Sequence, residues 1–311
     1  MTQSLTDLCH QLKLSPENLE IHDSEFRFKA HEDFIEQIQL GDKNDPLLKQ
    51  ILPIELETKS HADYKIDPVG DLKKNPTPSL IHKYHGRVLL MASPKCDIHC
   101  RYCFRRHFPY EQQINQRHWQ TALESIQQDR SIHEVILSGG DPFSLSEPAL
   151  VSLIEKVEAI EHIRTLRIHT RTPIVAPSKS PQKRFIDWAK QSRLNKVLVV
   201  HCNHANELSK KTAGLLNLYR ETGFQLLNQS VLLKEVNDNS EALINLSHAL
   251  FNQGVLPYYL HQLDKVQGAS HFEVSDTEAL KLHENIRKSL PGYLVPKLVR
   301  EQAGEPYKTP L

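Results

Sequence analysis

Three of the five cysteines fall in one short stretch, Cys96-Asp97-Ile98-His99-Cys100-Arg101-Tyr102-Cys103. The chain has no other close pair. Thiolates are soft ligands, and a C-x3-C-x2-C loop is short enough for all three sulfurs to face one metal centre. Iron–sulfur clusters use cysteine thiolates, normally four for a four-iron cluster. Three cysteines leave one iron without a protein ligand, free to chelate a small molecule that joins the reaction. Two plainer readings stand beside this one. A structural zinc site needs four closed ligands, and His99 or His107 could complete it. The three cysteines could also be unrelated buried thiols, as Cys9 and Cys202 read elsewhere in the chain.

Such a loop needs a scaffold, and the hydrophobic pattern supplies one. From Arg87 onward, strand-like runs alternate with helical periodicity: Arg87–Ala92, Glu134–Leu137, Thr165–His169, Lys196–His201, Gln225–Leu233 and Val255–His261 read as strands. Amphipathic helices follow each, the last opened by a capping box from Ser275 to Glu278. The expected fold class is α/β, a partial (β/α)6 TIM-like barrel with a parallel sheet. Polar motifs cluster at the strand ends, where barrels of this kind place their chemistry. Before the barrel, Leu5, Leu8, Cys9 and Leu12, then Phe34, Ile35 and Ile38, then Leu47, Leu48, Ile51 and Leu52, have helical spacing. The expected organisation is a small helical region and polar connection over 1–80, the barrel over 81–290, and a C-terminal segment over 291–311.

Composition bounds the partners. The chain has 311 residues, with 38 Lys+Arg against 38 Asp+Glu. A net charge of zero argues against a broad nucleic-acid or anionic-membrane surface. No apolar run is long enough to span a bilayer, and no signal pattern opens the chain. The cysteine usage suits a reducing cytoplasm.

Further candidates are ambiguous taken singly. Ser138-Gly139-Gly140-Asp141-Pro142 reads as a bland turn or as a site of close backbone approach to a ligand. Arg105 offers a bidentate fork for a carboxylate, or is one surface Arg in a basic run. Lys308 near the C-terminus reads as a solvated lysine. Lys83, Tyr84 and Arg87 read as a basic strand edge, and Asp264 and Glu301 as solvated acids.

The cysteine loop, with Tyr102 before the third Cys, resembles that of the radical S-adenosylmethionine (SAM) enzymes. Five later stretches sharpen this: Ser138–Pro142, His169-Thr-Arg-Thr-Pro173, His201-Cys-Asn-His204, Asn228–Asp238 and Pro257-Tyr-Tyr-Leu260. Their order is similar to that of the lysine 2,3-aminomutase family, from about residue 80 to the end. The resemblance implies a [4Fe-4S] cluster on Cys96, Cys100 and Cys103 whose open iron binds SAM. It implies SAM contacts from Ser138, Gly139, Gly140, Asp141, His201, Asn203 and Gln229. It implies pyridoxal 5'-phosphate (PLP) carried on Lys308, in Gly304-Glu-Pro-Tyr-Lys308-Thr-Pro310, with Lys83, Tyr84 and Arg87 around its phosphate and ring. Arg105 would take the substrate α-carboxylate, and Asp264 and Glu301 its distal ammonium. The chain departs from the family pattern where Glu305, Pro306 and Tyr307 replace glycines and Glu301 replaces an aspartate.

The free-standing members carry zinc cysteines after the Val-Asn-Asp stretch and beyond the PLP lysine. Asn239 follows Asp238 here and the sequence ends at Leu311, so no zinc is expected. Together with the stretches His82–Arg87 and Cys100–Tyr110, this resembles the branch that makes (R)-β-lysine from L-lysine. In that branch a partner ligase attaches the product to elongation factor P. An electron donor such as flavodoxin and a homo-oligomeric state are further implications. Two other readings stay in view: a mutase for another amino acid, disfavoured for acidic substrates by Asp264, and a non-catalytic iron–sulfur or zinc module docked on a translation protein. The latter would need neither Lys308 nor Arg105.

Overall fold

The computed structural model describes residues 4–22 and 24–311. Before the sheet come three short helices, α1 (Leu5–Leu12), α2 (Glu32–Ile35) and α3 (Pro46–Lys49). The first is closed at both ends by local chemistry. Ser4 and Asp7 form a capping box, and Lys13 ends the helix in the left-handed conformation.

Nine strands then form one sheet in chain order. β1 (Leu80–Tyr84) and β2 (Arg87–Ser93) pair as an antiparallel hairpin. Parallel neighbours follow: β3 (Glu134–Gly139), β4 (Thr165–Thr170), β5 (Asn195–Val200), β6 (Phe224–Val231), β7 (Leu256–His261) and β8 (Lys297–Arg300). β9 (Thr309–Pro310) returns antiparallel on β8. The six expected strand–helix units are present. Their helices are α5 (Gln116–Gln128), after the short α4 (Tyr110–Gln113), then α6 (Glu147–Glu158), α8 (Lys183–Gln191), after the short α7 (Thr172–Val175), α9 (Lys210–Glu221), α10 (Ser240–Asn252) and α11 (Asp276–Ser289). The capping box expected at Ser275 and Glu278 opens α11.

Two strands went unforeseen, β8 and β9, and β1 was marked only as a strand edge at Lys83 and Tyr84. β8 spans only four residues and carries no helix after it, so neither length nor periodicity marks it. The sheet does not close into a barrel, because β1 and β9 are its two ends. Side chains bridge that seam instead, as described below.

The core explains why the N-terminal helices belong here. Strand residues such as Leu90, Leu137, Ile168 and Leu198 pack against helix residues such as Ile126, Ile154, Phe185 and Leu216. Leu8, Leu12, Phe34, Leu47 and Ile51 are buried in the same apolar cluster. The polar grip is tighter still. Arg101, within the cysteine loop, is fully buried, and its Nε and Nη2 reach both oxygens of Glu57 at 2.7 and 2.6 Å. Its remaining donors meet the Phe26 carbonyl and Ser24 Oγ. Arg106 Nη2 joins Glu57 at 2.7 Å. His99 N–H donates to the Lys29 carbonyl, and the Lys29 ammonium donates to the Cys96 carbonyl.

Removing the Glu57 charge strands two buried guanidinium groups. Breaking one buried pair costs about 3–5 kcal/mol. Glu57→Gln keeps the side-chain volume, so it is expected to lower the urea midpoint of the cluster-free protein by a corresponding amount. A wild-type midpoint in that variant is incompatible with this ion pair anchoring the loop.

Candidate active site

The cysteine loop leaves β2 and is held from below by the end of β3. Gly140 N–H donates to the Ser93 carbonyl at 2.7 Å, and Asp141 N–H to the Lys95 carbonyl at 2.7 Å. The two glycines are required by this contact. A Cβ on Gly139 would lie 2.7 Å from Ser93 O, and one on Gly140 would lie 2.4 Å from Lys95 O. Gly139 also has φ +121°, open to glycine but strained for other residues.

Asp141 caps the following turn. Its buried carboxylate accepts from the N–H groups of Phe143, Arg171 and Thr172 and from the Thr170 hydroxyl, all within 3.0 Å. Burial pushes its pKa up, against these four donors. Its side chain is therefore committed to tying β3 to β4, and what this corner offers a ligand is backbone and the Ser138 hydroxyl.

The three thiols stand at this end of the sheet. Burial, with the neighbouring thiolates adding to it, pushes Cys103 up to about 11 and Cys96 well above the usual thiol range. Metal binding must therefore release protons there. Cys100 Sγ accepts from Arg171 Nη1 at 2.7 Å. Among the described residues no three His, Cys, Asp or Glu side chains gather round a single ion. Thiolates of a cluster each bind a different iron, which suits three sulfurs spread around a loop. The two histidines beside the array face away: His99 Nδ1 pairs with the Arg27 carbonyl at 2.7 Å and His107 Nε2 with the Gln267 carbonyl at 3.2 Å.

Under the loop lies a buried polar network. Tyr102 OH accepts from Asn203 Nδ2 at 2.6 Å and contacts His201 Nε2 at 2.8 Å. Gln50 Oε1 accepts from Asn203 and from Arg171 Nη2. Asn203 Oδ1 takes the Val231 N–H. Burial drives His201 well below its usual pKa, so it stays neutral. His201 and Asn203 thus sit behind the loop, and Gln229 lies on β6 nearby in the strand order.

A second constellation spans the open seam. Glu301, just after β8, accepts from Tyr84 OH at 2.7 Å, Lys83 Nζ at 3.3 Å and Lys308 Nζ at 2.6 Å. Burial opposes its charge, yet Lys308 and Lys83 bring its pKa down to about 2. Lys83 also pairs with Asp71 at 2.6 Å. Arg87 lies 4.7 Å over the Tyr84 ring. Arg105 donates from Nε to Asp71 at 2.7 Å and from Nη1 to Ser138 Oγ at 3.3 Å. Asp264 differs from Glu301: its Oδ1 is buried with no hydrogen-bond partner, and burial pushes its pKa up to about 7. His169 Nε2 is likewise buried and unpartnered, and burial holds this ring neutral.

Sequence reasoning missed Asp71, Gln50, Glu57, Arg171 and Glu207 as site residues. Arg171 lay within a quoted motif but was given no role. Asp71 sits in the polar connection, where no periodicity marks it as buried.

The match to known proteins follows this geometry. Residues 85–211 match the family model described as a 4Fe-4S single cluster domain. The chain is 47% identical over 287 residues to an L-lysine 2,3-aminomutase from Escherichia coli K12, covering 92% of this chain and 83% of that one. An L-lysine 2,3-aminomutase from Haemophilus influenzae is 45% identical, with 91% and 84% covered. One from Clostridium subterminale is 33% identical, with 89% and 67% covered. The chain belongs to the radical SAM lysine 2,3-aminomutase family. Membership makes it an isomerase and implies an iron–sulfur cluster and SAM. The fold agrees: a radical SAM methyltransferase from Sphaerobacter thermophilus superposes with a TM-score of 0.50 at 15% identity, covering 71% of this chain and 68% of that one.

The residues present fit an iron–sulfur cluster. Three thiols share one loop, with a charged donor on one sulfur. Across the seam, Lys308 and Lys83 share Glu301, and buried side-chain atoms of Asp264 and His169 lack partners. A groove of about 690 Å³, lined by Glu155, Arg184 and Trp188, lies along α6 and α8 and away from these groups.

Two outcomes follow. Gly140→Ala must push Lys95 and the loop away, so iron retained after reconstitution should fall well below wild type; full four-iron loading contradicts the contact. Asp264 has a folded pKa raised above its unfolded value, so its stabilising contribution is complete at acid pH and lost as pH rises through about 7. The unliganded protein should melt lower at pH 8 than at pH 6, and Asp264→Asn should flatten that difference. An equal slope in both proteins removes Asp264 as its source.

Proposed function

We propose that this isomerase converts L-lysine to (R)-β-lysine, with a [4Fe-4S] cluster on Cys96, Cys100 and Cys103, SAM on its open iron and PLP on Lys308. The observation that carries this reading is the pair of opposite poles at one end of the sheet. Arg105 presents a guanidinium, while Asp264 presents a buried carboxylate oxygen without a partner. A buried, unpaired carboxylate is costly unless a cation meets it. Lysine brings a carboxylate for the first and a distal ammonium for the second.

When bound, the cofactors would supply hydrogen-atom abstraction and a conjugated ring over which an unpaired electron spreads. The protein's share is orientation. Asp71 and Ser138 hold Arg105 by Nε and Nη1, leaving Nη2 to reach the α-carboxylate. Glu301 keeps Lys308, Lys83 and Tyr84 together, so the PLP lysine and the groups around the phosphate and ring share one anchor. The SAM corner comprises Ser138, Gly139, Gly140 and Asp141, with His201, Asn203 and Gln229 behind it. Burial holds His169 and His261 neutral, so they add no charge to the site.

We also read the product as feeding modification of elongation factor P through a lysyl ligase, in the cytoplasm, with a flavodoxin-like donor and a homo-oligomeric enzyme. The stretches His82–Arg87 and Cys100–Tyr110, with Glu301, support that branch. No helix is long and apolar enough to cross a membrane among the described residues.

The test is an anaerobic assay of reconstituted protein with SAM, PLP, a reductant and L-lysine, separating the amino acids by chromatography. β-Lysine should form, and Lys308→Ala should abolish it while iron loading stays at the wild-type level. Deoxyadenosine without β-lysine would refute free lysine as substrate, and lysine on elongation factor P would be tried next.

A further inference from the structure

Arg171 is a cation held by groups from three separate parts of the chain. It is buried at the end of β4. Its N–H is fixed by Asp141 at 2.7 Å. Its Nη2 donates to Gln50 Oε1 at 2.7 Å and to Glu207 at 2.9 Å. The guanidinium lies 5.6 Å from the centroids of both Phe34 and Tyr102. Burial works against its charge, but Cys100, Tyr102 and Glu207 outweigh that and keep it protonated. Nη1 donates to Cys100 Sγ at 2.7 Å, and the buried Nε has no partner.

We propose that Arg171 sets the reduction potential of the cluster by donating a charged hydrogen bond to the Cys100 sulfur. This rests on the ligation proposed above. Reduction adds one electron, taken from a low-potential one-electron donor, and makes the cluster more negative. A fixed cation against one ligand sulfur stabilises the reduced form more than the oxidised one and raises the potential. Glu207 sits on the same guanidinium and offsets part of its charge. The two residues therefore act in opposite senses on one quantity. A purely structural strut would not behave so, because losing either half of a strut loosens the loop alike.

The experiment reads potential rather than turnover. Wild type, Arg171→Lys, Arg171→Gln and Glu207→Gln are reconstituted anaerobically, assayed for iron and sulfide, and titrated with the reduced cluster followed by electron paramagnetic resonance. Arg171→Gln should shift the midpoint to lower potential, Arg171→Lys by less, and Glu207→Gln to higher potential. If Arg171→Gln loads no iron, the sign of the shift in Glu207→Gln decides. Unmoved midpoints in loaded variants overturn the role of Arg171 and leave the proposed function standing. So do shifts of one sign in both Gln variants. A wild type that binds no four-iron cluster overturns the ligation and this inference together.

Discussion

Two buried guanidinium groups carry the cysteine loop, and a buried cation tolerates no loose partner. Arg101 and Arg171 have no solvent to satisfy them. Arg101 draws on Glu57, Phe26 and Ser24, all N-terminal to the sheet. Arg171 draws on Gln50, again N-terminal, and on Glu207 after β5. A loop without regular structure thus inherits its rigidity from parts of the chain that are themselves packed into the core. The helices before residue 80 are the reason the three thiols can stay in place, since Gln50 and Glu57 can be presented only if Leu47, Leu48 and Ile51 are buried.

The open seam imposes a second constraint. A closed barrel joins its first and last strands by backbone hydrogen bonds, whereas here β1 and β9 are not paired. Glu301 substitutes for the missing ladder by holding Lys83 and Tyr84 of β1 and Lys308 before β9. This separates two acids that the resemblance treats alike. Glu301 is saturated by three donors and strongly acidic, while Asp264 is buried and short of one. Extra reach suits the glutamate to the seam.

The cysteine array was legible because ligand type and spacing are local in sequence. The strand–helix alternation was legible because each unit is long enough to show its period. β8 and β9 were not, being four and two residues long. Asp71, Gln50 and Glu57 were not, because their burial is decided by residues far along the chain. Gln50 meets Glu207 and Asp71 meets Arg105 only in three dimensions. The Ser-Gly-Gly-Asp stretch was legible as a place of close backbone approach, and the structure gives that approach a partner within the protein. Its glycines make room for the backbone at Ser93 and Lys95, and its aspartate is spent on four donors of the same protein.

Charge balance then narrows what the site can accept. Arg105 is shared with Asp71, Lys83 with Asp71 and Glu301, Lys308 with Glu301, and Arg171 with Glu207. His169, His201 and His261 are held neutral, first by burial, and add no cation. Asp264 is left as the acid without a hydrogen-bonded partner on its Oδ1. An acidic amino acid would set a second anion against it. A neutral one would leave it buried and unpaired. Under the proposed function, a substrate with a distal ammonium would relieve the cost while its carboxylate would meet Arg105. On this reading selectivity for a basic amino acid comes from one unsatisfied carboxylate in a site where the other acids are already spoken for.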